Sequence, residues 1–123
     1  MKLNMDGMTP IYVQIAEWLQ NEILAERLVA DGKVYSQYQL AELFNINPAT
    51  AGKGLTLLLE EEIIYKKRGL GMFVTEQAKE MILQKRRSET LQQLARELVD
   101  EARRLALTDM ELIALVQKMQ RGE

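Results

Sequence analysis

Two helix-start signals, set so close that only a tight turn fits between their helices, constrain this chain most. Ser36-Gln37-Tyr38-Gln39 has the form of a capping box, in which the serine hydroxyl and the glutamine amide satisfy free backbone donors of a first helical turn. Asn47-Pro48 repeats the signal: asparagine accepts from the next turn, and proline loses nothing at a position whose N–H has no partner anyway. The helix between them carries Leu40, Leu43 and Phe44 on its buried side and must stop near Asn45. A third helix then opens almost at once, with Ala51, Leu55, Leu58 and Leu59 inward. Two helices joined in this way form a helix-turn-helix.

The flanks complete the pattern. Upstream, Thr9-Pro10 predicts an N-cap and a first helical residue, followed by an apolar face of Tyr12, Ile15, Ala16, Leu19 and Ile23. Asp31-Gly32 marks a turn and Lys33-Val34-Tyr35 a short extended piece. Downstream, Ile63 to Lys67 reads as a strand, Arg68-Gly69-Leu70-Gly71 as a turn and Met72-Phe73-Val74 as the returning strand: a hairpin, or wing. From Gln77 the periodicity predicts a helix of roughly thirty residues with Leu91, Leu94, Ala95, Leu98, Ala102 and Leu105 on one side. Thr108-Asp109-Met110-Glu111 is a second capping box, opening a last helix with Leu112, Leu115, Val116 and Met119 in a row. The expected fold is mainly α with a small β-hairpin: a winged helix-turn-helix over residues 1–75 and a two-helix dimerisation tail over 76–123.

Composition narrows the chemistry. The 123 residues include no cysteine and no histidine, which removes disulfides, thiolate nucleophiles, Cys-ligated zinc and the commonest proton-transfer group. Ser36 and Ser88 have no histidine base, and neither a phosphate-binding glycine loop nor a Walker lysine is present. The expectation is no enzyme and no cofactor. The apolar runs fall far short of the ~20 residues a membrane span needs, and no signal-peptide pattern opens the chain, so a cytoplasmic protein is expected. A net charge of −2 argues against nucleic acid, which basic domains usually bind. Placement matters more than the total: Glu60, Glu61 and Glu62 close the third helix, whereas Lys66, Lys67 and Arg68 cluster on the hairpin.

From Pro10-Ile11-Tyr12-Val13-Gln14-Ile15, through Ser36-Gln37-Tyr38-Gln39-Leu40-Ala41, Asn47-Pro48-Ala49-Thr50-Ala51 and Glu61-Glu62-Ile63-Ile64-Tyr65, to Gly69-Leu70-Gly71-Met72-Phe73-Val74, the chain resembles the N-terminal domain of the GntR family of regulators. These motifs, in the family's order and spacing, span about half of the sequence. The short two-helix tail is similar to that of the YtrA-type subfamily. The resemblance implies a tail that serves dimerisation and lacks the larger ligand-binding domain of other branches. Tyr38, Pro48 and Gly52 stand where family members commonly or often carry arginine, so the resemblance does not carry over a recognition sequence.

In a helix-turn-helix, the second helix lays its N-terminal residues in the major groove. The candidate DNA-binding residues are therefore Ser36, Gln37, Tyr38, Asn47, Ala49, Thr50 and Lys53, with Thr56 at the margin. Lys66, Arg68 and Gly69 join them from the wing, where strand alternation puts Lys66 and Arg68 on one face and Lys67 on the other. Gly52 and Gly54 are expected to let the helix approach DNA closely. Capping alone would also account for Ser36 and Asn47, and a solvated hairpin for the basic run. Leu91, Leu94, Leu98, Leu105, Leu112, Leu115 and Met119 are the candidate dimerisation residues, because so short a tail cannot cover its own apolar side. The expected partners are a double-stranded DNA operator of inverted-repeat form and a second copy of the chain, as a repressor occupying promoter DNA; no membrane is involved and no small-molecule effector is identified. A winged-helix adaptor that binds protein instead of DNA is the other reading, favoured by the acidic total and the replaced arginines.

Overall fold

A computed structural model describes residues 3–123. The elements, in order, are α1 (Ile11–Leu24), α2 (Gln37–Phe44), α3 (Pro48–Glu60), β1 (Ile64–Lys67), β2 (Gly71–Val74), α4 (Ala78–Lys85), a π-helical stretch (Arg86–Thr90), α5 (Leu91–Arg104) and α6 (Asp109–Gln120). The chain divides into two compact units, one ending at Gln84 and one comprising Lys85–Glu123.

In the first unit, Ile15, Leu19 and Ile23 of α1 meet Leu40 of α2, Ala51, Leu55 and Leu58 of α3, and Ile64 and Val74 of the hairpin. Ala78 and Ile82 of α4 are also buried in this core, so the unit runs past the hairpin. β1 and β2 pair antiparallel, with Ile64 opposite Val74, Tyr65 opposite Phe73 and Lys66 opposite Met72. Lys33 pairs with Phe73 on the other edge of β2, and the Val34 N–H donates to the Met72 carbonyl at 2.8 Å. The short extended piece upstream of α2 thus anchors the base of the hairpin.

The local signals explain the helix ends. At α2 the Ser36 hydroxyl accepts from the Gln39 N–H at 3.1 Å while the Ser36 N–H donates to the Gln39 amide oxygen at 2.8 Å. Asn47 Oδ1 accepts from the Ala49 N–H at 2.8 Å, with Pro48 opening α3. Asn45 ends α2 in the left-handed conformation, at φ 54°, which asparagine tolerates better than most residues.

Two expectations in this region need correction. Pro10, not Thr9, caps α1, and no side chain caps that end; the Thr9 carbonyl instead accepts from the Gln14 side-chain amide at 2.9 Å. Leu43 is exposed, and Ala41 takes its place on the buried side of α2. In so short a helix the three-and-four spacing does not decide which neighbouring residue meets the core.

The second unit has little core of its own. Among Lys85–Glu123 only Ala102 is buried. α5 ends with Ala106 in the left-handed region and the Leu107 N–H donating back to the Ala102 carbonyl at 2.9 Å, the bond pattern of a Schellman motif. The Thr108 capping box then opens α6: its hydroxyl accepts from the Glu111 N–H at 3.1 Å, and its N–H donates to Glu111 Oε1 at 2.9 Å.

Candidate nucleic-acid interface

α3 is two-sided because of what α1 requires of it. Ala51, Gly54, Leu55 and Leu58 are buried, while Ala49, Lys53 and Thr56 stand exposed on the other side with Gly52 between them. Gly54 corrects the sequence expectation. A β-carbon there would lie 2.9 Å from both Ile15 Cγ2 and the Tyr12 carbonyl oxygen, so this glycine permits the close approach of α1 to α3 and does not face outward. Gly52 does lie toward the outer side, where a β-carbon would come within 3.2 Å of Gln37 Oε1. The missing side chain leaves room for an amide carried by α2.

The other predicted residues differ in exposure. Tyr38, on the first turn of α2, is 69% exposed. Thr50 is half-buried and Ala49 exposed. Lys53 reaches over the Tyr12 ring, its Nζ 5.7 Å from the centroid. Ser36 and Asn47 are occupied as caps, each accepting a backbone N–H. Of the predicted residues on the two helices of the motif, Gln37 of α2 is the one seen to reach α3, its amide lying against Gly52.

On the hairpin the expected alternation holds for Lys66 and Lys67, on opposite faces, but stops before Arg68. Arg68, Gly69 and Leu70 form the turn, outside the strands, so strand alternation does not extend to Arg68 and no common face with Lys66 follows. Gly69 adopts φ 78° with nothing near the position of a β-carbon, as a tight hairpin turn requires. Lys66 shares its face with Ile64, Met72 and Val74, and Lys67 shares the opposite face with Tyr65 and Phe73. The Lys67 ammonium stands 4.7 Å from the Phe73 centroid and 5.8 Å from that of Tyr65.

Lys33 is a basic residue that sequence reasoning missed. It pairs with Phe73, and its Cε lies 3.1 Å from where a β-carbon of Gly71 would be. Only its pairing partner, distant in sequence, reveals that it belongs to the hairpin. Tyr65 ties the hairpin to the same loop, donating from its hydroxyl to Asp31 Oδ1 at 2.8 Å. That bond to a carboxylate raises the Tyr65 pKa above its ordinary value, helped by desolvation and by the negative charge.

In the second unit, Leu91, Leu94, Leu98, Leu105, Leu115 and Met119 are exposed, joined by Met110, Ile113 and Val116. Leu112 is half-buried. No helix among the described residues is long and apolar enough to cross a membrane.

No family model matches the chain. It is 34% identical over 84 residues to the HTH-type transcriptional repressor NagR of Bacillus subtilis, covering 68% of this chain but only 35% of that protein, about a third of its length. It is 30% identical over 92 residues to the HTH-type transcriptional repressor YtrA of the same organism, covering 75% of this chain and 71% of YtrA. Among solved structures, a GntR family transcriptional regulator from Listeria monocytogenes superposes with a TM-score of 0.75 at 30% identity, over 93% of this chain and 98% of that one. The AraR DNA-binding domain, solved in complex with operator ORE1, matches with a TM-score of 0.53 at 26% identity, over 59% of this chain and 89% of that one. The helix-turn-helix, its hairpin and the extent of the match to YtrA converge on one assignment: the chain belongs to the GntR family of transcriptional regulators, which are not enzymes.

Proposed function

We propose that this chain is a cytoplasmic repressor that grips an inverted-repeat DNA operator as a homodimer, residues 1–75 reading the duplex and residues 76–123 joining the two copies. The observation that carries the reading is the two-sidedness of α3, one side packed on the core and the other left exposed beside the first turn of α2. With α3 in the major groove, Gln37, Tyr38, Ala49, Thr50 and Lys53 meet base edges or nearby phosphates, and Ser36 and Asn47 bring helix starts toward the backbone. Lys66, Arg68 and Gly69, with Lys33 and Lys67 beside them, bring the hairpin against phosphates or the minor groove. The repressors NagR and YtrA and the operator complex of AraR support DNA as the partner. The protein-binding adaptor has only the net charge of −2 and the replaced arginines behind it.

The homodimer rests on a separate observation. Leu91, Leu94, Leu98 and Leu105 of the α5 row, with Leu115 and Met119 of α6, are exposed in a unit whose only buried side chain is Ala102. Each half-covered leucine gains roughly 1 kcal/mol on being fully covered, so a second copy of the same surface is a strong candidate to cover them. A titration of duplex affinity against salt tests the DNA reading. Bound lysines and arginines release counterions, so affinity should fall by orders of magnitude between about 50 and 200 mM salt. Absence of duplex binding, or an affinity indifferent to salt, would contradict it.

A further inference from the structure

The side chains gathered on the exposed side of α3 belong to a particular chemistry. α2 and α3 contain no arginine, and their one cation is Lys53, which reaches over the Tyr12 ring of α1. The exposed residues of α3 are Ala49, Lys53, Thr56 and, at its C-terminal end, Glu60, with the half-buried Gly52 between Ala49 and Lys53. Ala49 offers a methyl group. Thr56 donates its hydroxyl back to the Gly52 carbonyl at 3.0 Å, which leaves its methyl as the group free of hydrogen bonds. At Gly52 the open space is occupied from α2: Gln37 Oε1 and Nε2 lie 3.2 and 3.8 Å from where a β-carbon would be. With the Lys53 ammonium drawn over Tyr12, the groups left at the N-terminal and middle part of the row are a carboxamide and, on either side of it, methyl groups.

A carboxamide and methyl groups complement A·T base pairs. In the major groove glutamine bonds adenine N6 and N7 together, and alanine and threonine methyls contact the C5-methyl of thymine. Guanine O6 and N7, by contrast, call for arginine or lysine. We infer that α3 reads A·T pairs, with Gln37, carried by the neighbouring helix and seated over Gly52, as the adenine-reading residue. This rests on the DNA-binding function proposed above and names the bases that the surface selects.

The test is selection of binders from a random duplex pool by the full-length protein, followed by affinities of the selected duplex and its variants at one fixed salt concentration. The inference expects adjacent A·T pairs in each selected half-site. Exchange of the adenine's pair for G·C should weaken binding about tenfold or more, and deoxyuridine in place of thymidine, which removes only a methyl group, should weaken it several-fold. Gln37→Ala should lose discrimination at the adenine while keeping the salt dependence of binding, and Gln37→Arg should move the preference there to G·C. Half-sites with fixed G·C pairs beneath α3, no base preference, or unchanged discrimination in Gln37→Ala would each overturn the inference and leave DNA binding standing. Failure to retain any duplex would overturn both.

Discussion

A β-carbon at position 54 has nowhere to go: Ile15 and the Tyr12 carbonyl stand 2.9 Å from it. Gly54→Ala should therefore destabilise the first unit by about 1–3 kcal/mol despite the better helix propensity of alanine, as denaturant unfolding would register. The same substitution at Gly52 meets only a movable glutamine amide and should cost less than at Gly54. Sequence reasoning recognised that two glycines in one helix need a reason, but their different reasons lie in Ile15 and Gln37, which local pattern does not connect to them. Lys33 was missed on the same ground. Lys53 and Arg68, both exposed, carry the proposed contacts and little of the core. Lys53→Ala and Arg68→Ala should each weaken duplex affinity with an unchanged helical circular dichroism signal, and unchanged affinity in both would refute the placement of the contacts.

At the scale of elements, what was legible is what is encoded locally. The caps at Ser36, Asn47 and Thr108 each close within three residues, so their sequence signals carry directly into structure. The hairpin follows from its strand formers and the glycine at φ 78°. The long helix expected after Gln77 is present, helical residues running without a break from Ala78 to Arg104; less legible was the π-helical stretch Arg86–Thr90 within it. The apolar period does not reveal one wider turn. The Thr108 box also makes α6 sensitive to acid. Hydrogen bonds from the Thr108 backbone and then its side chain lower the Glu111 pKa below its ordinary value. A carboxylate depressed on folding contributes stability that is present above its unfolded pKa and lost as pH falls through the folded one. α6 should thus lose helicity at pH values below the ordinary glutamate range, and Thr108→Ala should weaken the helix by about 1 kcal/mol at neutral pH. Circular dichroism against pH for both proteins checks this: the variant's helicity should show a smaller acid-induced loss.

For the molecule as a whole, the second unit buries only Ala102 and so has little core to hold it. Small chain segments bury too little surface to be stable alone, and the exposed leucines of α5 point to association as the remedy. On the proposed interface, Leu94→Glu combined with Leu98→Glu should give monomers at concentrations where the unaltered chain is expected to dimerise, with Ala78, Ile82 and the rest of the first core intact. A sedimentation profile unchanged by both substitutions would remove α5 from the interface. The net charge of −2 does not oppose DNA binding in this arrangement: Glu60 to Glu62 gather at the C-terminal end of α3, and the cations of the hairpin are exposed beyond them.

The most direct measurement is the mass of the complex in sedimentation equilibrium with a duplex selected by the protein. Two chains on one duplex, bound cooperatively, are the expected result, with each half of the inverted repeat required. One chain per duplex at saturation, or no complex at all, would contradict the account.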